Sequence, residues 1–469
     1  MKKGITKNYL YNLSFQILQL ITPLVLTPYL SRTLGAEGIG TYGYVQSIVV
    51  VFMLFGTMGI NMYAQREIAY VQNDFYKRSC IFFEIIILRL ITTIFVYIFY
   101  LFIFMLFGKE TAVFRIASIE IIAAIFEISF FFQGINNFKI TVFRNIIIKI
   151  VSIILIFSFV KTNSDVNLYI FILCGMMLIG NLSVWFYLPK EIVIPRLKDI
   201  KPFRHLKATL ALFLPQIAIQ IYTVLDKTML GLFSDKIQVG FYESAQKIVQ
   251  VSMTVITSLG SVMLTKVASA FATNDKKEIK KFILGAIQFV FFLAIPMSFG
   301  VIAIASQLIP WFLGKEFVNS IILLKMMAPL ILISGLSNVL GIQYLVPLRK
   351  QELYTYSVLI GAVSNIILNF ALIPCYQAVG ATISTLIAES LVLIMEIYFV
   401  KNDFCFKEIL KQNFKFIIMG LIMFIILVNI SKNLNFFMKI IFGCIIYLIL
   451  VFIFYRKEIL SLIKKRKTL

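Results

Sequence analysis

Gly40-Thr-Tyr-Gly-Tyr-Val-Gln46 and Gly240-Phe-Tyr-Glu-Ser-Ala-Gln246 stand 200 residues apart and share the pattern Gly-x-Tyr-x-x-x-Gln. The match runs on without a gap, pairing Ile48, Val49, Val51, Met53 and Thr57 with Ile248, Val249, Val251, Met253 and Thr257, and Arg66 with Lys266. The Ile, Val and Met identities carry little weight, because any two apolar helices share them. Apolarity does not demand the glycine, the tyrosine or the glutamine. The repeat predicts two halves of one chain built alike.

The surroundings of both copies say what solvent they occupy. The 469 residues are 60% hydrophobic and 14% charged, with a mean hydropathy of +0.93, against roughly 45–50% apolar and 25% charged in soluble domains. Lipid is the main solvent, and apolar stretches long enough to cross it, roughly 20 residues each, leave no room for a soluble domain. They fall near 10–30, 39–62, 80–107, 113–132, 143–160, 167–187, 208–230, 239–264, 282–305, 321–346, 353–372, 379–400, 416–430 and 436–454. The first follows Lys2, Lys3 and Lys7 but exceeds the 7–15 residues of a signal-peptide core, so it is expected to be a retained helix.

Cytoplasmic loops carry excess Lys and Arg. With this count, alternate loops and tails hold 31 basic residues on one side and six on the other, namely Arg32, Lys109, Lys161, Lys236, Lys315 and Lys432. Miscounting one early span would destroy that split. Both termini are therefore expected in the cytoplasm. The formal charge of +22 is then explained by anionic headgroups, without nucleic acid. The expected fold is an all-α integral membrane protein of about 14 transmembrane helices. It comprises two parallel six-helix repeats, 1–200 and 201–405, and two accessory helices with a basic cytoplasmic tail in 406–469. Parallel repeats of this kind leave a midplane cleft and rock around it in transporters.

Ser31-Arg-Thr-Leu-Gly-Ala-Glu-Gly-Ile-Gly-Thr-Tyr-Gly43 and Gly59-Ile-Asn-Met-Tyr-Ala-Gln-Arg-Glu-Ile-Ala69 resemble the N-terminal signature of the bacterial polysaccharide repeat-unit flippases of the Wzx type. That family lies in the superfamily of the MATE drug exporters and the lipid II flippase. Leu225-Asp-Lys-Thr-Met-Leu-Gly231, Val239-Gly-Phe-Tyr-Glu-Ser-Ala-Gln-Lys-Ile248 and Gly380-Ala-Thr-Ile-Ser-Thr-Leu-Ile-Ala-Glu389 are similar too, so the resemblance runs along the chain in order. It implies a flippase of the bacterial cytoplasmic (inner) membrane that moves undecaprenyl-diphosphate-linked oligosaccharide to the outer leaflet by alternating access. The product would be O antigen or capsule, with membrane lipids, a polysaccharide polymerase and chain-length machinery as partners. It implies no enzyme and no cofactor beyond proton or sodium coupling. A MATE-like cation-coupled drug exporter and a lipid II flippase are the alternatives that share the fold.

A diphosphate headgroup that crosses hydrocarbon needs cations in its path, with arginine as a bidentate fork and lysine as a point charge. Charges inside spans face a cavity or a partner. The candidates are Arg32, Arg66, Arg89, Lys149, Lys227 and Lys247. Against them, Arg32 and Arg66 sit where helix-end residues snorkel, Lys247 follows Glu243 by four residues as in an ion pair, and Asp226 adjoins Lys227. Arg89, deeper in its span, is expected to face the cleft. Candidate coupling carboxylates are Glu389, Asp226, Glu120 and Glu127. A cationic drug would favour an acidic cleft, which these cations oppose.

Other motifs yield no chemistry. The cysteines Cys80, Cys174, Cys375, Cys405 and Cys444 lack C-x-x-C spacing, and the one histidine is His205, so no metal site is expected. Gly38-Ile-Gly-Thr-Tyr-Gly43 fits G-x-G-x-x-G but opens a membrane helix instead of following a strand, and helix packing explains it. A membrane polymerase or ligase would need a large outer loop, and the longest here is about 306–320.

Overall fold

The computed structural model describes residues 2–107, 111–257, 275–430 and 435–456, with 263, 266, 267, 269–271 and 273 between them. Among the basic loop and tail positions, Lys109, Lys432, Lys457, Lys464, Lys465, Arg466 and Lys467 lie outside the described residues, as do the side chains of Lys2, Lys3 and Lys7. Every regular element among the described residues is helical. Contacts divide the chain into two compact units, Met1–Gly240 and Phe241–Leu469.

The first unit opens with α1 (Lys2–Thr57), 56 residues that would run roughly 84 Å if straight against a hydrocarbon core of roughly 30 Å. It folds back instead. Gly35 leaves helical geometry at φ 67°, ψ −175°, a region open to glycine without Cβ strain. Leu26, Leu30 and Leu34 before it then share one buried cluster with Val45 and Val49 after it. This is the loop expected between the first two apolar stretches. A second break at Met58 and Gly59, both with positive φ, starts α2 (Ile60–Tyr70). After them come α3 (Phe75–Phe107), α4 (Thr111–Ile125), the short α5 (Ser129–Gly134), α6 (Phe138–Phe159), α7 (Val166–Trp185) and α8 (Leu206–Phe233).

Helix α3 shows why these elements form and what they face. Ile85, Leu88, Val96 and Tyr100 are buried, while Ile91, Ile94, Phe95, Ile98, Phe99 and Phe102, at steps of three and four, are exposed. An exposed apolar stripe of that size is unfavourable in water, at roughly 25 cal/mol per Å², and carries no such penalty against lipid tails. Tyrosine hydroxyls on the buried faces find backbone carbonyls, as Tyr100 does with Phe114 (2.8 Å) and Tyr29 with Val160 (2.6 Å). Helix α8 packs on α1 through the Ser47 and Thr228 hydroxyls, 2.7 Å apart. The contact boundary consequently falls at Gly240, past α8, while the sequence repeat places its boundary near residue 200.

Helix α9 (Lys236–Thr257) leads into the second unit, which holds α10 (Lys276–Phe312), α11 (Ser320–Met327), α12 (Leu330–Ser337), a π-helical segment Asn338–Leu345, α13 (Gln351–Val400), α14 (Phe406–Ile430) and α15 (Phe436–Phe454). Residues 315–327 and 330–345 form one bent pair, 46° apart. Helix α13 breaks at Gln377 (φ 50°, ψ −127°), and the Leu372 carbonyl lies against Gly380. Residues eight apart would stand roughly 12 Å apart along a straight helix, so the chain reverses here as well. The repeated tyrosines keep equivalent company. Tyr42 sets its ring 5.1 Å from Tyr169 of α7, and the Tyr242 hydroxyl lies 3.0 Å from Thr385 in the second half of α13.

Eight helices among the described residues are long and apolar enough to cross a membrane, nine if the bent pair is one span, and two of the eight are 50-residue stretches with a reversal inside. The chain is thus a multi-pass helical membrane protein.

Candidate functional site

In the first unit, α6 sets Arg144, Asn145, Ile148, Lys149, Ser152, Ile153 and Ile156 along one face, since helical side chains three and four apart stack. That face, with Leu173, Met177 and Asn181 of α7 and Leu26 of α1, encloses a cavity of about 360 Å³. Arg144 is held in place by the Asn181 Oδ1 and Ser129 Oγ oxygens, each at 2.7 Å, and Asn181 is itself oriented by donating to the Ala123 carbonyl (2.7 Å). The Arg144 Nε is buried without an acceptor.

Lys149 differs from its neighbour. It has no ion pair or hydrogen bond to any described residue. It stands eleven residues from one end of α6 and ten from the other, roughly 16 Å from either, farther than a four-carbon stem can snorkel. A half-buried ammonium at mid-span facing a cavity needs an anion or water there.

The other cationic candidates are placed differently. Arg89 is wholly buried, paired with Glu127 at 3.3 Å, bonded to the Glu127 carbonyl and to Asn61 Oδ1, and stacked 5.1 Å from the Phe130 ring. It ties the break between α4 and α5 to the first turn of α2, and it does not line the α6 cavity. Lys247 forms the i,i+4 pair with Glu243 at 2.8 Å. Arg66 pairs with Glu67 at 3.1 Å at an exposed position. Arg32, also exposed, donates to the Pro28 carbonyl at 3.3 Å. Lys227 is half-buried beside the buried Asp226, and both are engaged with other groups.

Among the carboxylates, Glu120 accepts from the repeated Gln46 at 3.0 Å. Glu127, besides pairing with Arg89, caps Ser129 N at 2.8 Å and lies within Coulombic reach of Arg144. In the second unit Glu389 accepts from Ser334 at 3.0 Å. Two turns further along α13, Glu396 is wholly buried, with the Ser337 and Ser357 hydroxyls as its polar company and no cation paired with it among the described residues. It lies against Gly341 of the π segment and Tyr354. A buried carboxyl without a counter-charge requires a proton or a cation.

Sequence reasoning missed Arg144, Asn181 and Glu396. Arg144 reads as a loop residue because Asn136, Asn137 and Lys139 precede it, and a five-residue step to Lys149 is not a same-face spacing, so only the packing shows that both line one cavity. Glu396 lies five residues from the basic Lys401 in a segment that reads as a helix end. Only its burial distinguishes it.

Against known proteins, the sequence pattern of the family described as "Polysaccharide biosynthesis protein" matches residues 5–265. A protein of Escherichia coli (strain K12) named as an O-antigen transporter is 24% identical over 411 residues, 86% of this chain and 98% of that one. The lipid II flippase MurJ in an inward closed conformation superposes with a TM-score of 0.74 at 20% identity, over 97% of this chain and 100% of that one. An inward-facing multidrug resistance MATE family transporter of the MOP superfamily gives 0.62 at 14%, over 82% and 93%. The structural likenesses show the fold, and the matched pattern spans more than half of the sequence. The chain therefore belongs to the polysaccharide biosynthesis protein family, in line with its resemblance to the Wzx type.

Proposed function

We propose that this chain is a flippase that moves undecaprenyl-diphosphate-linked oligosaccharide repeat units from the cytoplasmic to the outer leaflet for O antigen or capsule synthesis. The observation that carries the reading is Lys149, a mid-span cation without a counter-charge, beside the anchored Arg144 in the α6 cavity. Two fixed positive charges there offset the desolvation of a diphosphate, with Arg144 as a fork and Lys149 as a point charge. The family's description, the relative named as an O-antigen transporter and the neighbour named as a lipid II flippase support the same reading.

The proposed arrangement has fourteen spans. Helices α1 and α13 supply two each through their reversals, the bent α11–α12 pair supplies one, and α3, α4, α6 to α10, α14 and α15 one apiece. The loop charges support cytoplasmic termini, and the repeat supports two six-helix halves, 1–200 and 201–405, with 406–469 accessory. Polymerase and chain-length proteins act on the delivered repeat unit. Coupling to a proton or sodium ion would use the carboxylates of the second unit, Glu389 and Glu396.

The test is genetic and biochemical together. Cells lacking the chain accumulate the diphosphate-linked repeat unit on the cytoplasmic leaflet and lose the surface polymer, and wild-type chain restores both. Normal polymer output in the deletion strain refutes the proposal.

A further inference from the structure

At the end of the second unit where α10 and α14 begin and α15 finishes, Lys277, Lys280 and Lys281 of α10 and Lys411 and Lys415 of α14 line a basin of about 1170 Å³, and Glu408 is the one carboxylate on its wall. None of the five lysines makes an ion pair with a described residue. Lys277 and Lys281, and likewise Lys411 and Lys415, stand four residues apart on their helices, a like-charge spacing that weakens a helix on its own. A basin that gathers both pairs on facing walls gains from an anion with a negative group for each helix.

Two features make that anion a lipid. The basin descends from Lys281 past Leu284 and Gly285 to Gln288, seven residues and roughly 10 Å along the axis. The polar layer of a bilayer leaflet is only roughly 5–8 Å deep, so the lower part reaches acyl chains. Gly285 has nothing within 4 Å of where a side chain would stand, which leaves room for a chain to run down α10. Tyr455, which lies under Lys415 at 5.2 Å and stacks on Phe416, closes the far side. The volume also exceeds the roughly 300–1,000 Å³ of ordinary small-ligand pockets.

We propose that this basin binds a phospholipid with two phosphate groups, a diphosphatidylglycerol, one phosphate on the α10 lysines and the other on the α14 lysines. Basic pockets between membrane helices take such headgroups. This site lies in the second unit, apart from the α6 cavity, and does not depend on what the chain transports.

The test uses the purified full-length chain in detergent, with lipid retention read by native mass spectrometry. Tetraoleoyl diphosphatidylglycerol is expected to be retained about tenfold more tightly than dioleoyl phosphatidylglycerol. The variant Lys277→Gln, Lys281→Gln, Lys411→Gln, Lys415→Gln should lose that preference, and the fourfold arginine variant at the same sites should keep it. A control that removes equal charge elsewhere, at Lys190, Lys198, Lys201 and Lys207, should retain it. If the glutamine variant does not purify as a single species, the pair Lys281→Gln, Lys411→Gln takes its place. The proposal is overturned by equal retention of the two lipids, by equal loss in the control, or by inorganic diphosphate displacing the lipid with comparable affinity, which would make the basin a site for soluble anions.

Discussion

The Arg89 guanidinium and the Glu127 carboxylate meet at 3.3 Å in the first unit, with the Arg89 side chain fully buried and Glu127 retaining 21% exposure. The two residues suggest separate jobs in the sequence, one for substrate and one for coupling. In the fold they hold each other, and Arg89 also satisfies carbonyl and amide oxygens that the α4/α5 break and α2 leave open.

Truncating one partner of such a pair strands the other. Arg89→Ala is expected to destabilise the first unit by about 3–5 kcal/mol, the range for a broken buried pair, reduced somewhat by the exposure of Glu127. The measurement is the Tm of the purified protein and its abundance in membranes. The double variant Arg89→Ala, Glu127→Ala should be no less stable than Arg89→Ala alone, because the charge left behind is gone. An Arg89→Ala protein with unchanged Tm and abundance but no export would return Arg89 to the substrate path.

Lys149 has the opposite profile. With no partner to strand, Lys149→Gln should leave folding stability within about 0.5 kcal/mol of wild type, and Tm nearly unchanged, while weakening binding of the diphosphate lipid by roughly tenfold or more, as for a lost charge-assisted contact. Lys149→Arg should keep most of the export. Arg144→Lys should be worse tolerated than Lys149→Arg, since a point charge cannot span both Asn181 and Ser129. Polymer output and Tm measured side by side decide this. Full export by Lys149→Gln would remove the cavity from the transport path.

Much of this was legible in the sequence, and the omissions have physical causes. Gly35 marks its reversal in the chain's own letters, because a glycine between two apolar runs is where a helix can take positive φ. Gln377 does not, for nothing in its side chain announces a left-handed turn. Lys247 announced its partner through the four-residue step from Glu243. Arg89 did not, because Glu127 lies 38 residues away and meets it only where α4 breaks. Local spacing reveals pairs on one helix, whereas pairs between helices need the packing.

Glu396 and Glu389 separate by the same logic. Glu396→Gln keeps shape and burial while removing any need for a proton or cation, so the protein should fold with unchanged or higher Tm. If the carboxyl couples transport, export by this variant should stop responding to an imposed proton or sodium gradient. Reconstituted vesicles with an imposed gradient provide the readout, and a gradient response equal to wild type would exclude Glu396 from coupling.

Gly380 lies in one of the stretches that resemble the family, and the reversal at Gln377 gives the reason. A side chain there would collide with the backbone of Leu372 and Ile373, atoms that cannot swing aside. Gly380→Ala is expected to destabilise the fold by an amount typical of overpacking, about 1–3 kcal/mol, seen as a lower Tm and lower membrane abundance. Gly300→Ala, with nothing within 4 Å of the added methyl, should be neutral or stabilising through better helix propensity. Equal behaviour of the two variants would mean that the reversal is not this tight.

Glu84 anchors the chain between α7 and α8. Fully buried on α3, it accepts from Lys201 N at 2.7 Å, Arg204 at 2.6 Å and His205 Nε2 at 2.8 Å, and His205 Nδ1 meets the Tyr63 hydroxyl at 2.7 Å. Further along the strap, Tyr76 donates to Asp199 at 2.5 Å, and Arg78 bonds Glu191. This chain segment carries Lys190, Arg196, Lys198 and Arg204, sites for trypsin, and Lys201, which Pro202 shields from it. Local opening governs such cleavage, so it reports directly on whether the strap is held. Glu84→Ala removes three acceptor contacts at once and should speed tryptic cleavage of the strap by roughly tenfold, for a local opening made easier by about 1.4 kcal/mol. Asp199→Ala, which removes one peripheral contact, should have a smaller effect confined to the segment near Tyr76. If Glu84→Ala is cut no faster than wild type, the strap is held by the apolar contacts of Leu188 and Leu206 instead.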